Sequence, residues 1–544
     1  VVCLCHPGGR LSSEAERLRL KEAARLYIEG DKQAATDIWR EILRQDPRQP
    51  EALHRLGIVA QEAGNAELAL RLIEAALRLD AGYAEAWFNR GVLLRKAGRM
   101  DEALQSTRLS LEILPSLAQA WDLIGQILKD TLDYTGAADA YRKAIALKSD
   151  CAPFHSNHAL LLMALDERAE AYRALRRAEA LDPAGPALML GNMLKAYGYP
   201  ERAADMFARA RGVDIGDRQT AAEAAASEAM ARLQIGDTAR GWALWEQRPD
   251  LEASLNHLPL WQEERHGSKT STLLVYEDQG IGDALHFIRY LPLLRPFADR
   301  IVLRVRAPLR RLCADNFPGI DVIGEDDSMP ASTARCRLAS LPALFSALPK
   351  PPPPYLKAPA NGPALPDTLR APRIGLCWAG NAQFNNDRQR SIPFPLLAPV
   401  LACGTEHFIP LQKERTGEAV AAGLIDVSGS LRDMGDTAAL VAALDLVISV
   451  DTAVAHLAGA MGKPVWLLLA FDNDWRWLIG RRDTPWYPTA TLFRQKAPGD
   501  WGGVIAEVAE TLSRLTAGNR GVLTPPPWDG NTLRENPCAV PLPV

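Results

Sequence analysis

The chain is 544 residues long, 47% apolar and 24% charged, with a formal net charge of −4. That length allows three or four domains, and the balance is that of a soluble globular protein without the basic excess of a nucleic-acid binder. Its eight cysteines are scattered, with no Cys-x-x-Cys and no histidine pair at zinc spacing, which argues for a reduced, cytoplasmic protein without a structural metal.

Residues 1–10 lack the charged head and apolar core of a signal peptide, and no apolar run reaches the roughly 20 residues of a membrane span. A 34-residue period then sets in. Asp46, Asp80, Leu114, Lys148 and Asp182 share one position, each just before a helix stop. Ala35, Ala69, Ala103, Ala137 and Ala171 share a second, Gly57, Gly91, Gly125 and Ala159 a third, and Leu53, Trp87, Trp121 and His155 a fourth. Small residues fall where two short helices cross closely, and large ones fill the holes between them. A single Trp or Leu here reads as core. Asn89, between Trp87 and Gly91, reads as groove-facing or solvent-exposed. After a two-residue slip come a sixth unit (Leu190, Gly191, Leu194, Gly198, Ala203, Phe207, Ala210) and a weaker seventh (Gly236, Asp237, Trp245, Arg248). The positions resemble the tetratricopeptide repeat, which implies an all-α solenoid over about residues 16–250. Its concave groove would bind a protein or peptide.

Residues 251–269 read as a polar connection, and an α/β region follows. Leu273 to Tyr276 suits a buried parallel strand, Gly280 and Gly282 permit a sharp turn, and Ala284 to Leu294 has helical periodicity. Ile301 to Val305 and Ile320 to Ile323 supply further strands. Arg304, Arg306, Arg310 and Arg311 read as a solvated face. A proline-rich stretch, 349–371, suits a linker between two lobes. Strands resume at Arg373 to Trp378, Phe408 to Leu411, Leu446 to Val450 and Val465 to Leu469, with a helix Thr437 to Leu444 capped by Asp436. The expected boundaries are 270–348 for the first lobe and 372–516 for the second. Residues 517–544, with Pro525 to Pro527, read as a disordered tail.

Two strand-to-helix crossings carry the candidate chemistry. At Asp451-Thr-Ala-Val-Ala-His456 a helix starts after a strand, aiming backbone N–H groups and a positive dipole end at the cleft. Thr452 and Ala453 are small enough for a diphosphate to approach. Asp451 reads as ligand-facing or as a helix cap, His456 as functional or as packing. Gly380 to Ile392 is a polar loop whose Arg388 and Arg390 suit phosphate oxygens, beside Ser391. Lys413, past the strand Phe408 to Leu411, ends at the same edge. Asp283, just after the glycine turn, is a candidate base or a cap. Asp472-Asn-Asp474 tempts a metal reading, but a diphosphate held by a helix end and arginines needs no ion. Trp475, Trp477, Trp486 and Tyr487 read as packing ahead of stacking on a ligand.

Gly282-Asp283-Ala284-Leu285-His286 resembles the Gly-Asp-x-Leu-His opening of the bacterial heptosyltransferases, glycosyltransferase family 9. Asp451-Thr452-Ala453-Val454-Ala455-His456-Leu457 resembles that family's Asp-Thr-Gly-x-x-His-Leu element, with Ala453 in place of Gly. The resemblance implies a GT-B module of two Rossmann-like lobes behind the repeat arm. It further implies metal-independent, inverting transfer of a sugar from a nucleotide diphosphate, without a cofactor. Asp283 would be the base. Arg388 or Arg390, Ser391, Lys413, Asp451, Thr452, Ala453 and His456 would hold the donor. Gly280, Gly282 and His286 would lie on the acceptor side. The acceptor would be a protein or a glycan precursor. The alternative is a repeat scaffold whose second half only senses a nucleotide sugar.

Overall fold

The computed structural model describes residues 14–165, 167–212, 218–248, 253–261, 269–345, 351–383, 387–518, 521 and 523. Two compact units divide at Ala187/Leu188. The tail expected from 517 lies almost wholly outside the described residues.

In the first unit, ten helices run from Glu14–Glu29 to Arg168–Leu181, each packed on its sequence neighbour. The period is a steric register. Ala35, Ala69, Ala103, Ala137 and Ala171 have no exposed surface. A Cβ on Gly57, Gly91 or Gly125 would lie 2.8 Å from Ile73, 2.4 Å from Thr107 and 2.7 Å from Tyr141, so each glycine lets its two helices approach more closely than a side chain would without a shift of its neighbour. Asp46, Asp80, Leu114, Lys148 and Asp182 are each the residue that ends a helix. Trp87 and Trp121 are partly buried and pack against the core, with one edge left to solvent. Their indole N–H groups, like the ring nitrogen of His155, reach the carbonyl six residues earlier, on Ala81 (2.9 Å), Pro115 (3.4 Å) and Ser149 (2.9 Å). This periodic position closes the turn that enters its helix.

Asn89 is neither groove-facing nor exposed. It is buried, and its amide donates to His54 Nε2 (2.7 Å), whose Nδ1–H donates to the Tyr83 hydroxyl (2.9 Å). Burial, then Arg55, pushes the His54 pKa down to about 3.

The second unit begins with helices Ala187–Ala196, Pro200–Arg211, Arg218–Gln234 and Thr238–Trp245. The steric register persists: a Cβ on Gly191 would lie 2.6 Å from Phe207. Two parallel sheets follow. The first holds β1 (Thr270–Tyr276), β2 (Ala298–Arg304), β3 (Asp321–Ile323) and β4 (Ala334–Arg337) in the order β3-β2-β1-β4. The second holds β5 (Ile374–Cys377), β6 (Phe408–Pro410), β7 (Leu446–Val450), β8 (Val465–Leu469) and β9 (Ala490–Arg494) in the order β6-β5-β7-β8-β9. β5, β7 and β8 are buried along their whole length, as strands covered on both faces must be. The chain is therefore an all-α repeat solenoid followed by a two-sheet parallel α/β region.

Several expectations are corrected. The helix after β1 covers only Ile281–Phe287 and tightens into a 3-10 stretch, Ile288–Phe297, because Pro292 and Pro296 cannot continue α-helical hydrogen bonding. The helix before β7 is Met434–Ala443, and its cap is Asp433, not Asp436. Within the expected connection 251–269, Trp261 N–H donates to Arg335 O (2.7 Å) and Arg335 N–H to Pro259 O (2.9 Å), so the chain there pairs with β4. The proline-rich stretch is tied down by Tyr355, whose hydroxyl donates to Leu285 O (2.9 Å) and whose N–H donates to Ala460 O (2.9 Å). The arginines read as a solvated face keep that exposure at Arg306 (40%) and Arg310 (52%) while pairing with Glu277 (2.9 Å) and Asp327 (2.7 Å), and the less exposed Arg311 pairs with Asp433 and Asp436 (both 2.5 Å).

Candidate functional site

The two crossings meet. Helix Ile281–Phe287, after β1, packs against helix Ala453–Ala460, after β7. The approach is so close that a Cβ on Gly282 would lie 2.8 Å from His456 Cδ2, so any side chain there must displace the ring or the helix. Both helices start at the carboxyl ends of parallel strands, where open α/β sheets receive ligands.

Asp283 divides its two oxygens. Oδ2 accepts from the Gly280 N–H (3.0 Å) and caps its own helix, while Oδ1 accepts from Arg476 of the second lobe. Cap and lobe-facing group are thus the same side chain, with 31% of its surface exposed. Arg476 was missed in the sequence. It sits in the short 3-10 turn Trp475–Trp477 after β8, buried, with its guanidinium 4.3 Å from the Trp475 ring and 5.1 Å from Phe287. It also donates to Asp474 (2.9 Å). Burial works against its charge, but Asp474 and Asp283 outweigh that and hold its pKa above the ordinary arginine value. The available signal was the string Asp474-Trp-Arg-Trp477 directly after a buried strand, read for its carboxylates and rings and not for the arginine between them. Asp474 is accordingly an arginine partner. Among the described residues, no group of three His, Cys, Asp or Glu is placed to hold a metal.

Asp451 is not the helix cap. Thr452 occupies that position, with no side-chain bond to the first turn. Its hydroxyl lies 3.0 Å from Ser449 Oγ instead. Asp451 Oδ2 accepts from the Trp477 indole N–H (2.9 Å), and Oδ1 lies 3.7 Å from His456 Nε2. Partial burial, then the Asp474 charge, raises its pKa above the ordinary carboxylate range. Ala453 opens a right-handed helix with no positive φ, so alanine fits where the resembling element has glycine.

His456, read as functional or as packing, packs, and His286, expected on the acceptor side, is wholly buried. Both are buried, and both have Nδ1 on the Tyr487 hydroxyl, at 3.0 Å and 2.9 Å. His456 stacks on Trp477, and burial with Arg476 and Arg289 pushes its pKa far down, so it is neutral. A proton on Nε2, facing Asp451, leaves Nδ1 to accept from Tyr487 O–H, whose oxygen then accepts from His286 Nδ1–H. Trp475, Trp477, Trp486 and Tyr487 are buried and pack this joint. Arg289, also fully buried, ties it further, donating to His286 O (2.8 Å), Trp486 O (3.2 Å) and the Tyr355 hydroxyl (3.0 Å).

In the loop after β5, residues 384–386 lie outside the described residues. Arg390 lies over Gly380, where a Cβ would be 2.5 Å from Nη2, and it donates to the backbone oxygen of Asp451 (3.3 Å). It is therefore beside the Asp451–Thr452 crossing, whereas Arg388 is exposed. Ser391 spends its hydroxyl on buried Asp387 (2.8 Å) and the Gly380 N–H (3.0 Å), so it shapes the loop. Lys413 is exposed past β6; its neighbour Gln412 locks the edge through both backbone groups of Ala379 (3.0 and 3.2 Å).

Residues 400–497 match glycosyltransferase family 9 (heptosyltransferase), and residues 54–118 and 118–151 match tetratricopeptide repeats. The chain thus carries tetratricopeptide repeats in its N-terminal half and a glycosyltransferase family 9 domain in its second lobe. It is 27% identical over 332 residues to Protein FlbA of Caulobacter vibrioides, a stretch that covers 52% of this chain and 54% of that protein. The chain therefore matches about half the length of this curated relative. Similar solved structures include that of Pseudomonas aeruginosa pilF (19% identity, 39% of this chain and 96% of that one, TM-score 0.34). Another is PilW, described as a type IV pilus biogenesis factor (16% identity, 39% and 98%, TM-score 0.35). A third is MamA (20% identity, 30% and 94%, TM-score 0.27). No helix among the described residues is long and apolar enough to cross a membrane.

Proposed function

We propose that the protein is a glycosyltransferase that moves a sugar from a nucleotide-diphosphate donor to an acceptor hydroxyl. The repeat arm recruits a protein or glycan-linked acceptor, and the reaction takes place in the cytoplasm. The donor diphosphate lies against the amides at the start of helix Ala453–Ala460, flanked by Arg390. The acceptor oxygen attacks the anomeric carbon as the bond to the diphosphate breaks, with inversion, and its proton passes to Asp283. The fixed guanidinium and helix end stabilise the departing diphosphate without a metal. The observation that carries this reading is the Asp283 carboxylate of one lobe held against Arg476 of the other, whose neighbour Trp477 donates to Asp451.

That ion pair also favours a second reading. With Oδ1 taken by Arg476 and Oδ2 by the Gly280 N–H, both carboxylate oxygens of Asp283 are already engaged, which suits a scaffold whose second half only senses nucleotide sugars. A thermal-shift panel of ADP-, UDP-, GDP- and dTDP-sugars, followed by turnover of the best ligand, separates the two. Transfer requires one sugar nucleotide to stabilise the protein and to be consumed, and Asp283→Ala to abolish consumption while keeping the shift. Wild-type turnover in Asp283→Ala removes its role as base. A shift without turnover of any donor favours the sensor.

A further inference from the structure

The carboxylate at the second crossing has no cation of its own. Asp451 Oδ2 accepts from the Trp477 indole N–H (2.9 Å), while Oδ1 makes no hydrogen bond among the described residues, with His456 Nε2 standing off at 3.7 Å. That histidine is neutral and brings no charge. The Asp451 side chain is 22% exposed, and Oδ1, unlike the sealed polar atoms of the joint around it, reaches solvent.

The charged groups that face Asp451 are engaged with others. Arg476, on the turn after β8, is divided between Asp283 and Asp474. Arg390, on the loop after β5, donates to the Asp451 backbone oxygen (3.3 Å) and lies 3.5 Å from Asp387. Asp474 adds a like charge. From the first lobe, Asp283 follows Gly282, which lies against His456 and Ala453, and its charge is met by Arg476. Burial and then Asp474 outweigh Trp477, Arg476 and Arg390, and hold the Asp451 carboxyl above its ordinary range. A diphosphate against the first amides of helix Ala453–Ala460 adds several negative charges to this corner. An ionised Asp451 repels it, whereas a protonated one turns Oδ1 into a donor for a charge-assisted hydrogen bond to a phosphate oxygen.

We propose that Asp451 takes up a proton when the diphosphate binds and holds it on Oδ1 as a hydrogen-bond donor, so that the second lobe recognises the diphosphate through a neutral acid beside the helix end. This deepens the donor site proposed above and rests on it.

ADP, UDP, GDP and dTDP, titrated into the full chain by calorimetry from about pH 6 to about pH 9 in buffers of different ionisation enthalpy, test it. The ligand's own ionisation is common to every variant, so the difference between wild type and Asp451→Asn reports the protein's proton. Wild type should take up as much as one proton more than Asp451→Asn. Its affinity should fall by up to about tenfold per pH unit as pH rises between the carboxyl's free and bound pKa values, while Asp451→Asn keeps only the ligand's slope. Asp474→Asn removes the like charge and should move that window to lower pH. Equal proton uptake in wild type and Asp451→Asn overturns the proposal. Where Asp451→Asn does not fold, a window that stays in place in Asp474→Asn overturns it instead. Binding of none of the four nucleotides overturns it together with the donor site. Proton-linked binding without turnover of any sugar nucleotide removes the transfer reading and leaves the proposal standing, and turnover without a protein-bound proton does the reverse.

Discussion

Asp283 caps a helix with one carboxylate oxygen and meets the opposite lobe with the other, so its position is set twice. The residue before it is set by space alone. His456, which a Cβ on Gly282 would strike, cannot retreat, because Trp477 stacks on it and Tyr487 holds Nδ1. Gly282→Ala must therefore separate the two helices or drive the ring off its partners, at about 1–3 kcal/mol, the usual cost of overpacking. A lower unfolding midpoint is expected, and any sugar transfer should fall further than stability does, since the same shift moves Asp283 away from Thr452. A midpoint equal to wild type would mean that the joint opens freely.

The repeat helices show which sequence signals survive folding and which need the fold to be known. Glycine and alanine at 34-residue spacing report the crossing point of two helices, and their recurrence in register makes it legible. Asn89 could not be placed in this way. Its partner His54 lies 35 residues earlier, on the matching helix of the preceding repeat, and a lone polar residue does not announce a buried acceptor. The candidate site divides likewise. Asp283 and Asp451 are legible because each follows a buried strand, whereas Arg476 matters only once the loop after β8 folds back onto helix Ile281–Phe287. His456 was open to either a functional or a packing role and His286 was placed by resemblance alone; aromatic packing buries both. The His54 cluster makes its own measurable claim. The unfolded ring binds a proton near pH 6.5, and the folded one not until about 3. Between those values the unfolded state holds one proton more. Stability is full above about pH 6.5 and falls as pH drops, by about 1.4 kcal/mol per unit. Hydrogen-exchange protection of residues 50–96 should show that slope, and His54→Phe should flatten it. An unchanged slope would place the titration elsewhere.

Across the second unit, one loop gathers contacts from every layer. Lys195 of a repeat helix pairs with Asp472 (2.6 Å), Gln234 donates to Asn473 O (3.1 Å), and Trp242 packs edge-on against Trp475 (5.2 Å). The next residue, Arg476, holds Asp283, so the last repeat helices brace the segment that joins the two lobes. A second tie lies on the helix that follows β2. Arg311, on Ala307–Asn316, forks onto Asp433 and Asp436 at the start of Met434–Ala443, directly over Gly435, where a Cβ would lie 2.8 Å from Nη2. Asp436 is buried and keeps Arg432 when Arg311 is removed, while Arg311 is itself 31% exposed, so solvent screens part of the loss. Arg311→Ala should therefore cost about 1–2 kcal/mol, less than an unrelieved buried charge. On the proposed transfer reading, its effect on transfer should be larger than that figure implies and should fall on kcat, because the proposed donor groups within the second lobe stay in place while Asp283 loses its fixed approach. Arg311→Lys should recover stability only in part, since an ammonium cannot reproduce the planar fork onto two carboxylates. Measured together, a lower midpoint with kcat reduced and donor KM kept would establish that this tie sets the distance between the lobes. A raised KM at constant kcat would show instead that it shapes the donor side alone.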